Sequence, residues 1–231
     1  MVSTKPSFVV ISSLAKDVLI YGNGLKEVRS GGPAYWISKT LKDLKVPYRQ
    51  VLAKPEAEIE IRMPEEKGII KSVGRVKINH PIQSKGIIIS TIGNEFNLVD
   101  LNKFHGTIAL DIQGFARTSE KGKIDFQKTL KRITILKATK SELGFMNAED
   151  VCDQKKRLLL VTRGIQGFEV FYRNQRHIFV SSKKKVFNTI GAGDVLLTAF
   201  LVKFLETKNP KSAGLFALDY VTKFIENKNE F

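Results

Sequence analysis

The sequence predicts an α/β protein whose mostly parallel sheet lies between layers of helices. Two observations carry this. Short β-branched runs alternate with helical patterns from one end of the chain to the other. Four of the runs, Ile87–Ile89, Ile108–Leu110, Thr134–Leu136 and Leu158–Val161, are apolar almost without a break, as central parallel strands covered on both faces must be. The size agrees: 231 residues, 42% hydrophobic and 26% charged, suffice to bury a core and are not the composition of a disordered chain.

Element by element, Phe8–Ile11 and Val18–Ile20 predict strands. Gly31-Gly32-Pro33 opens a helix, with proline in the first turn and Ile37, Leu41 and Leu44 on one face. Lys39, Lys42, Asp43 and Lys45 take the other face, and Val46-Pro47 ends it. Residues 50–80 differ. They alternate in short segments, Glu58–Arg62 and Arg75–Ile78, with Gly68 and Gly74 at turns, which predicts small antiparallel strands with one wet face. From residue 86 the strand–helix rhythm resumes, with helical segments near 95–104, 125–132 and 141–152. Phe168–Phe171 and His177–Val180 predict a hairpin around Arg173-Asn174, and helices over 191–206 and 210–227 close the chain. No linker or internal repeat divides it, so residues 1–231 are expected to form one domain. Ligands of such sheets bind beyond the carboxyl ends of the strands.

Composition narrows the function. One cysteine, Cys152, excludes an internal disulfide framework and a cysteine-rich zinc site. His80, His105 and His177 lie too far apart for a local metal-ligand spacing. No apolar run approaches the ~18 residues of a membrane span, and no leader pattern is seen, so a cytoplasmic location without membrane contact is expected. The net charge of +15 attracts anions, but the 28 lysines are scattered, and their only tight run is Lys183–Lys185. No basic stripe interleaved with aromatics accompanies them, so no specific nucleic acid is expected. No phosphate-binding loop of the Gly-x-x-x-x-Gly-Lys-Ser/Thr type occurs.

The stretch that carries chemistry is Asn188-Thr189-Ile190-Gly191-Ala192-Gly193-Asp194, followed by the apolar helix Val195–Val202. Small residues at 191–193 let the backbone approach a ligand. The helix start offers amides and a dipole that favour negative charge. A carboxylate beside an anion cradle makes sense if Asp194 faces an acceptor hydroxyl while the amides face a phosphoryl group in transfer. The dipole is expected to keep Asp194 ionised and therefore a modest base, which phosphoryl transfer tolerates. The alternative is a glycine-rich turn with Asp194 as helix N-cap.

This loop resembles the Asp-Thr-x-Gly-Ala-Gly-Asp motif of the ribokinase-like, or pfkB-type, carbohydrate kinases. Further marks follow in the family's order: a first strand then Asp17, the Gly31-Gly32 turn, Thr139-Lys140-Ser141-Glu142 resembling Asn-x-x-Glu, and Thr162–Gly167 resembling Thr-x-Gly-x-x-Gly. The resemblance implies a three-layer α/β/α sandwich with a small β lid at residues 50–80, through which homodimers form. It implies Asp194 as base and the amides of Gly191, Ala192 and Gly193 as anion hole. Asp17, Gly31, Gly32 and Trp36 would meet the substrate. Thr139, Thr162, Gly164, Gly167 and Thr189 would meet ATP, and Glu142 would hold Mg²⁺ through water. A monovalent cation is a further implied cofactor.

Departures stand beside these matches. Ala15 replaces the Asn of Asn-x-Asp, Thr139 that of Asn-x-x-Glu, and Asn188 the leading Asp of the loop. With fewer groups to bind ribose hydroxyls, the acceptor stays open among sugar, polyol and nucleoside. Gly-Gly-Pro-Ala-Tyr together with Asp111–Arg117 is similar to an archaeal branch that includes inositol kinases. Two other functions stay open: a ligand-binding relative without catalysis, suggested by Asn188 and Thr139, and a basic nucleic-acid-binding protein, suggested by the charge.

Overall fold

The computed structural model describes residues 7–119, 124–126, 129–181 and 188–228. In chain order it contains β1 (Phe8–Ser12), β2 (Ala15–Ile20), β3 (Lys26–Gly31), α1 (Pro33–Asp43), β4 (Tyr48–Leu52), β5 (Ala57–Arg62), β6 (Lys67–Ser72), β7 (Ile82–Ser90) and β8 (Phe104–Asp111). There follow α2 (Gln113–Thr118), β9 (Ile135–Thr139), α3 (Ala148–Arg157), β10 (Leu159–Thr162), β11 (Gly167–Tyr172), β12 (Gln175–Val180), α4 (Ala192–Thr207) and α5 (Pro210–Lys228). No helix among the described residues is long and apolar enough to cross a membrane.

The large sheet runs β12-β11-β10-β9-β8-β7-β1-β4. Its six strands from β10 to β4 pair in parallel, and the β11–β12 hairpin adds an antiparallel edge. The continuous apolar runs are explained by burial on both faces. Val9, Ile11, Ile87, Ile89, Ile108 and Leu110 pack on one side with Phe115 of α2 and Val151 of α3. Val10, Ile88, Ala109, Ile135 and Leu160 pack on the other with α1, α4 and α5. Arg173 and Asn174 both have positive φ, 51° and 63°, at the centre of the β11–β12 turn, as a two-residue hairpin of matching twist requires.

Strand order reverses beside β1, with β4 on one flank and β7 on the other, so a crevice opens beyond the carboxyl ends of the strands. Ser12, Ser90, Asp111, Thr139 and Thr162 end β1, β7, β8, β9 and β10 in turn. Helix α4 is buried on nearly all sides, Val195–Val202 without exception, because it lies between α1 and α5 against β7 and β8. Its N-terminus thereby meets the ends of the central strands.

A second sheet, β3-β2-β5-β6, forms the lid. Its extent corrects the sequence reading. Residues 15–31 contribute two of its four strands, and Tyr48–Leu52 belongs to the large sheet as edge strand β4. The β2–β5 pair is parallel, where only antiparallel pairs were expected. The lid buries Ala15, Leu19, Ala57, Ile59 and Ile61 against Ile92 and Ile190, so its apolar face covers the loop ahead of α4. The expected helix over 95–104 is a 3-10 turn, Leu98–Lys103. In the region 125–132 the described residues hold only Leu130–Arg132 as a 3-10 turn, while the short helix α2 was not foreseen. Cys152 is exposed on α3, and Lys183–Lys185 lie outside the described residues.

Phe200 of α4 is fully buried between sheet and helices, stacked on Phe204. Phe200→Ala is expected to cost about 3–5 kcal/mol in urea unfolding, because the wedge that seats α4 is left with a void. A loss under about 1 kcal/mol would show that α4 is held otherwise.

Candidate active site

The site assembles where α4 begins. Gly191 is the N-cap, with φ 84°, a left-handed conformation open to glycine at little cost. A side chain there would also strike Trp36, whose ring lies 2.5 Å from the Cβ position. Ala192 donates its amide to the Thr189 carbonyl at 2.9 Å, closing the turn. The expected anion hole therefore changes. The Ala192 amide is taken, and the first-turn amides of Gly193 and Asp194 have no acceptor within the helix.

Asp194 is not the N-cap. Its Oδ1 accepts a hydrogen bond from Ser90 Oγ, at the end of β7, at 2.7 Å. Beside it lies a buried ion pair, Lys137 Nζ to Asp111 Oδ2 at 2.6 Å. Asp111 Oδ1 also accepts the Gln113 amide, at 3.0 Å. Lys137 is close under the helix start, since a Cβ on Gly193 would fall 2.8 Å from its Nζ. Burial, then repulsion from Asp111, pushes Asp194 up to about 6, against the pull of Lys137, Ser90 and Arg117. At neutral pH such a carboxylate is still ionised, as expected, and burial makes it more basic than an exposed aspartate. Burial alone would lower Lys137, but Asp111, Glu142 and Asp194 override it and raise its pKa.

Above this floor is a cavity of about 450 Å³ that Asp194, Gly191, Ala192 and Gly193 line together with Asp17, Gly32, Trp36, Thr139, Thr162, Gly164, Gly167 and Thr189. Sequence positions 17 and 194 are therefore brought to one hollow. Asp17, 5% exposed, faces inward from β2, and burial pushes it up to about 6 against Lys228 and the Gly32 amide. Gly31 lies against it: a Cβ there would overlap its carboxylate. Asp17 Oδ1 and Trp36 Nε1 have no hydrogen-bond partner among the described residues. Trp36 is no plain core residue. Its ring meets Tyr35 and Phe224 edge-on and lies under the ammonium of Lys228, 4.1 Å from the centroid.

At the other end, Thr162, Gly164 and Gly167 adjoin an apolar wall of Ile165, Leu218, Val221 and Ile225. Glu142 is tied locally. Its Oε2 accepts the Thr139 amide at 2.7 Å, and Thr139 Oγ1 accepts the Glu142 amide at 3.1 Å. No cluster of three His, Cys, Asp or Glu fit for a metal occurs among the described residues.

Four residues escaped the sequence reading: Ser90, Lys137, Glu66 and Lys228. Glu66, in the lid turn, accepts both the amide and the hydroxyl of Thr189 at 2.5 Å, so the lid is fastened to the loop ahead of α4. Lys228 Nζ donates to the Ile190 carbonyl at 2.7 Å and to Asn188 Oδ1 at 3.2 Å. Burial lowers its pKa to about 8. Only Lys137 left a signal, a charge interrupting the run Ile135–Ala138.

Residues 100–221 match the pfkB family of carbohydrate kinases, a span of more than half the chain that includes the anion loop and Asp194. The chain belongs to the pfkB family of carbohydrate kinases. It is accordingly a phosphotransferase with an alcohol group as acceptor. No curated protein matches the sequence. Among solved structures, a pyrophosphate-dependent kinase in the ribokinase family, complexed with a pyrophosphate analogue and myo-inositol, is similar at TM-score 0.76 and 18% identity, over 95% of each chain. Ribokinase of Arabidopsis thaliana, complexed with ribose and ATP, gives 0.73 and 15%, over 96% of this chain and 93% of that one. A nucleoside kinase of Burkholderia thailandensis, in complex with inosine, gives 0.71 and 13%, over 95% and 91%. At such identities the likeness shows the fold. The pfkB match begins at residue 100, so the lid and Asp17 lie outside it.

Lys137→Met leaves Asp111 buried without its counter-charge and is expected to cost about 3–5 kcal/mol in chemical denaturation. The double variant Lys137→Met/Asp111→Asn should recover part of that loss. Equal destabilisation of single and double variants would mean that the pair is not what holds the two residues.

Proposed function

We propose that this pfkB kinase transfers the γ-phosphate of ATP to a hydroxyl of a sugar, polyol or nucleoside, with Asp194 as general base. The observation that carries the reading is Asp194 itself. It is a carboxylate lifted to about 6 at the start of a buried helix, oriented by Ser90, beside the buried Lys137. Such a group is anionic at neutral pH yet basic enough to receive a proton as its acceptor forms the new bond. In the proposed step the acceptor oxygen attacks the γ-phosphorus, its proton passes to Asp194, and the bond to the β-phosphate oxygen breaks to release ADP. The amides of Gly191, Gly193 and Asp194, with the Lys137 ammonium, would face the charge on the migrating phosphoryl group. Lid closure, fastened by Glu66, would keep water from competing as acceptor.

The apolar wall of Ile165, Leu218, Val221 and Ile225 supports a nucleotide donor over bare pyrophosphate, which has no apolar part to bury there. The unpartnered Asp17 Oδ1 and Trp36 Nε1 offer one acceptor and one donor to substrate hydroxyls, and Ile59, Ile61 and Ile70 of the lid supply an apolar roof. Mg²⁺, when bound with the donor, would neutralise phosphate charge. The family resemblance makes Glu142, which accepts the Thr139 amide, the carboxylate that would hold it through water, as suits a hard cation carried by polyphosphate.

The test is a donor–acceptor screen. ATP is expected to support transfer to a panel of sugars, polyols and nucleosides, and pyrophosphate is not; turnover with pyrophosphate alone would overturn the donor assignment. Asp194→Asn should lower kcat by roughly 10²–10⁴-fold with ATP binding retained, since only the proton acceptor is lost. The pH profile follows from sign. Asp194 must be deprotonated to act, so kcat/KM should be level near pH 7 and fall as pH drops through about 6. Asp17, which titrates in the same region, should steepen that limb. A rate that rises on acidification would eliminate Asp194 as the base.

A further inference from the structure

Lys228 has no part in the transfer step, yet it touches the loop that makes the step possible. Its ammonium leaves the last turn of α5 and is held by the Ile190 carbonyl at 2.7 Å, by Asn188 Oδ1 at 3.2 Å, and by the faces of Trp36 and Phe224, 4.1 and 5.2 Å from the ring centroids. A main-chain carbonyl, an amide oxygen and ring faces are ligands that hold a single positive charge without neutralising it. Glu66 and Asp17 lie near enough to favour that charge, while Arg29 and Lys39 oppose it.

The geometry reaches the anion hole through one peptide. The Ile190 carbonyl and the Gly191 amide share a peptide plane. That bond is trans, since the cis peptides among the described residues are Lys54-Pro55 and Met63-Pro64, so carbonyl and N–H point in opposite directions. A cation on the carbonyl fixes the plane and polarises the Gly191 N–H as a donor on its far side. A free monovalent cation at this place would need the same two oxygens and would meet an ammonium already bound to them. The residues present therefore do not fit the free ion that the family resemblance suggests.

We propose that Lys228 is a tethered cation, a positioning residue that aims the Gly191 amide and makes the anion loop independent of free monovalent ions. The inference rests on the kinase reading above, and its test separates the two. Lys228→Met keeps the side-chain stem and removes the charge; Lys228→Gln serves if the methionine variant misfolds. Wild-type kcat is expected to be the same in sodium, potassium, ammonium or tetramethylammonium chloride. In the variant kcat should fall by about 10²-fold, as for loss of one aimed donor, and potassium or ammonium should restore about tenfold of it while tetramethylammonium does not. Trp36 is the sole tryptophan, so its emission reports the site directly. Potassium or ammonium should change that emission saturably in the variant and leave the wild type unaltered. Activation of the wild type by potassium, an unimpaired variant, or a loss that no cation restores would each overturn the proposal. If the wild type phosphorylates nothing, the kinase reading fails, and the fluorescence titration still decides whether Lys228 fills a cation site.

Discussion

The anchoring of one helix end governs this molecule. The start of an α-helix carries partial positive charge on its unpaired amides, and water screens that charge wherever it can reach. Here α4 is wedged between α1, α5 and the central strands, with Val195–Val202 all buried, so its first turn cannot swing away from the strand ends. The price is close contact. Gly191 touches Trp36, Gly193 approaches Lys137, and neither place has room for a side chain. The amides, the Asp194 carboxylate and the buried Lys137 ammonium are held together at one wall of the cavity, where electrostatic effects are larger than in bulk water.

Within that volume two aspartates have been given different characters. Asp111 is nearly inaccessible but satisfied, by the Lys137 ammonium on one oxygen and the Gln113 amide on the other. Asp194 receives a single close hydrogen bond, from Ser90, and feels Asp111 as a repelling neighbour. Burial thus makes Asp194 more basic, while both oxygens of Asp111 are engaged by neighbours.

What was legible in the sequence was local. The parallel strands announced themselves because two-sided burial forces unbroken apolar runs, and the loop from Asn188 to Asp194 did so because small residues before a buried helix have few other uses. The two-residue hairpin turn at Arg173-Asn174 was equally local. The lid was read too short because β2 and β3 alternate weakly. Val18-Leu19-Ile20 looks like an ordinary strand, and the inward face is that of Ala15, Asp17 and Leu19. Ser90 with Asp194, and Glu66 with Thr189, are contacts across 104 and 123 residues, and no short-range pattern encodes them. Lys137 was legible in principle, since a lysine within a strand covered on both sides needs a buried partner.

The order of the elements has a consequence for how the chain comes to be folded. One whole side of the large sheet, with Val10, Ile88, Ala109, Ile135 and Leu160, is covered mainly by α4 and α5, which follow every strand in the chain. A nascent chain emerging N-terminus first therefore exposes that greasy surface until α4 and α5 have been made. During this interval it is open to misassociation.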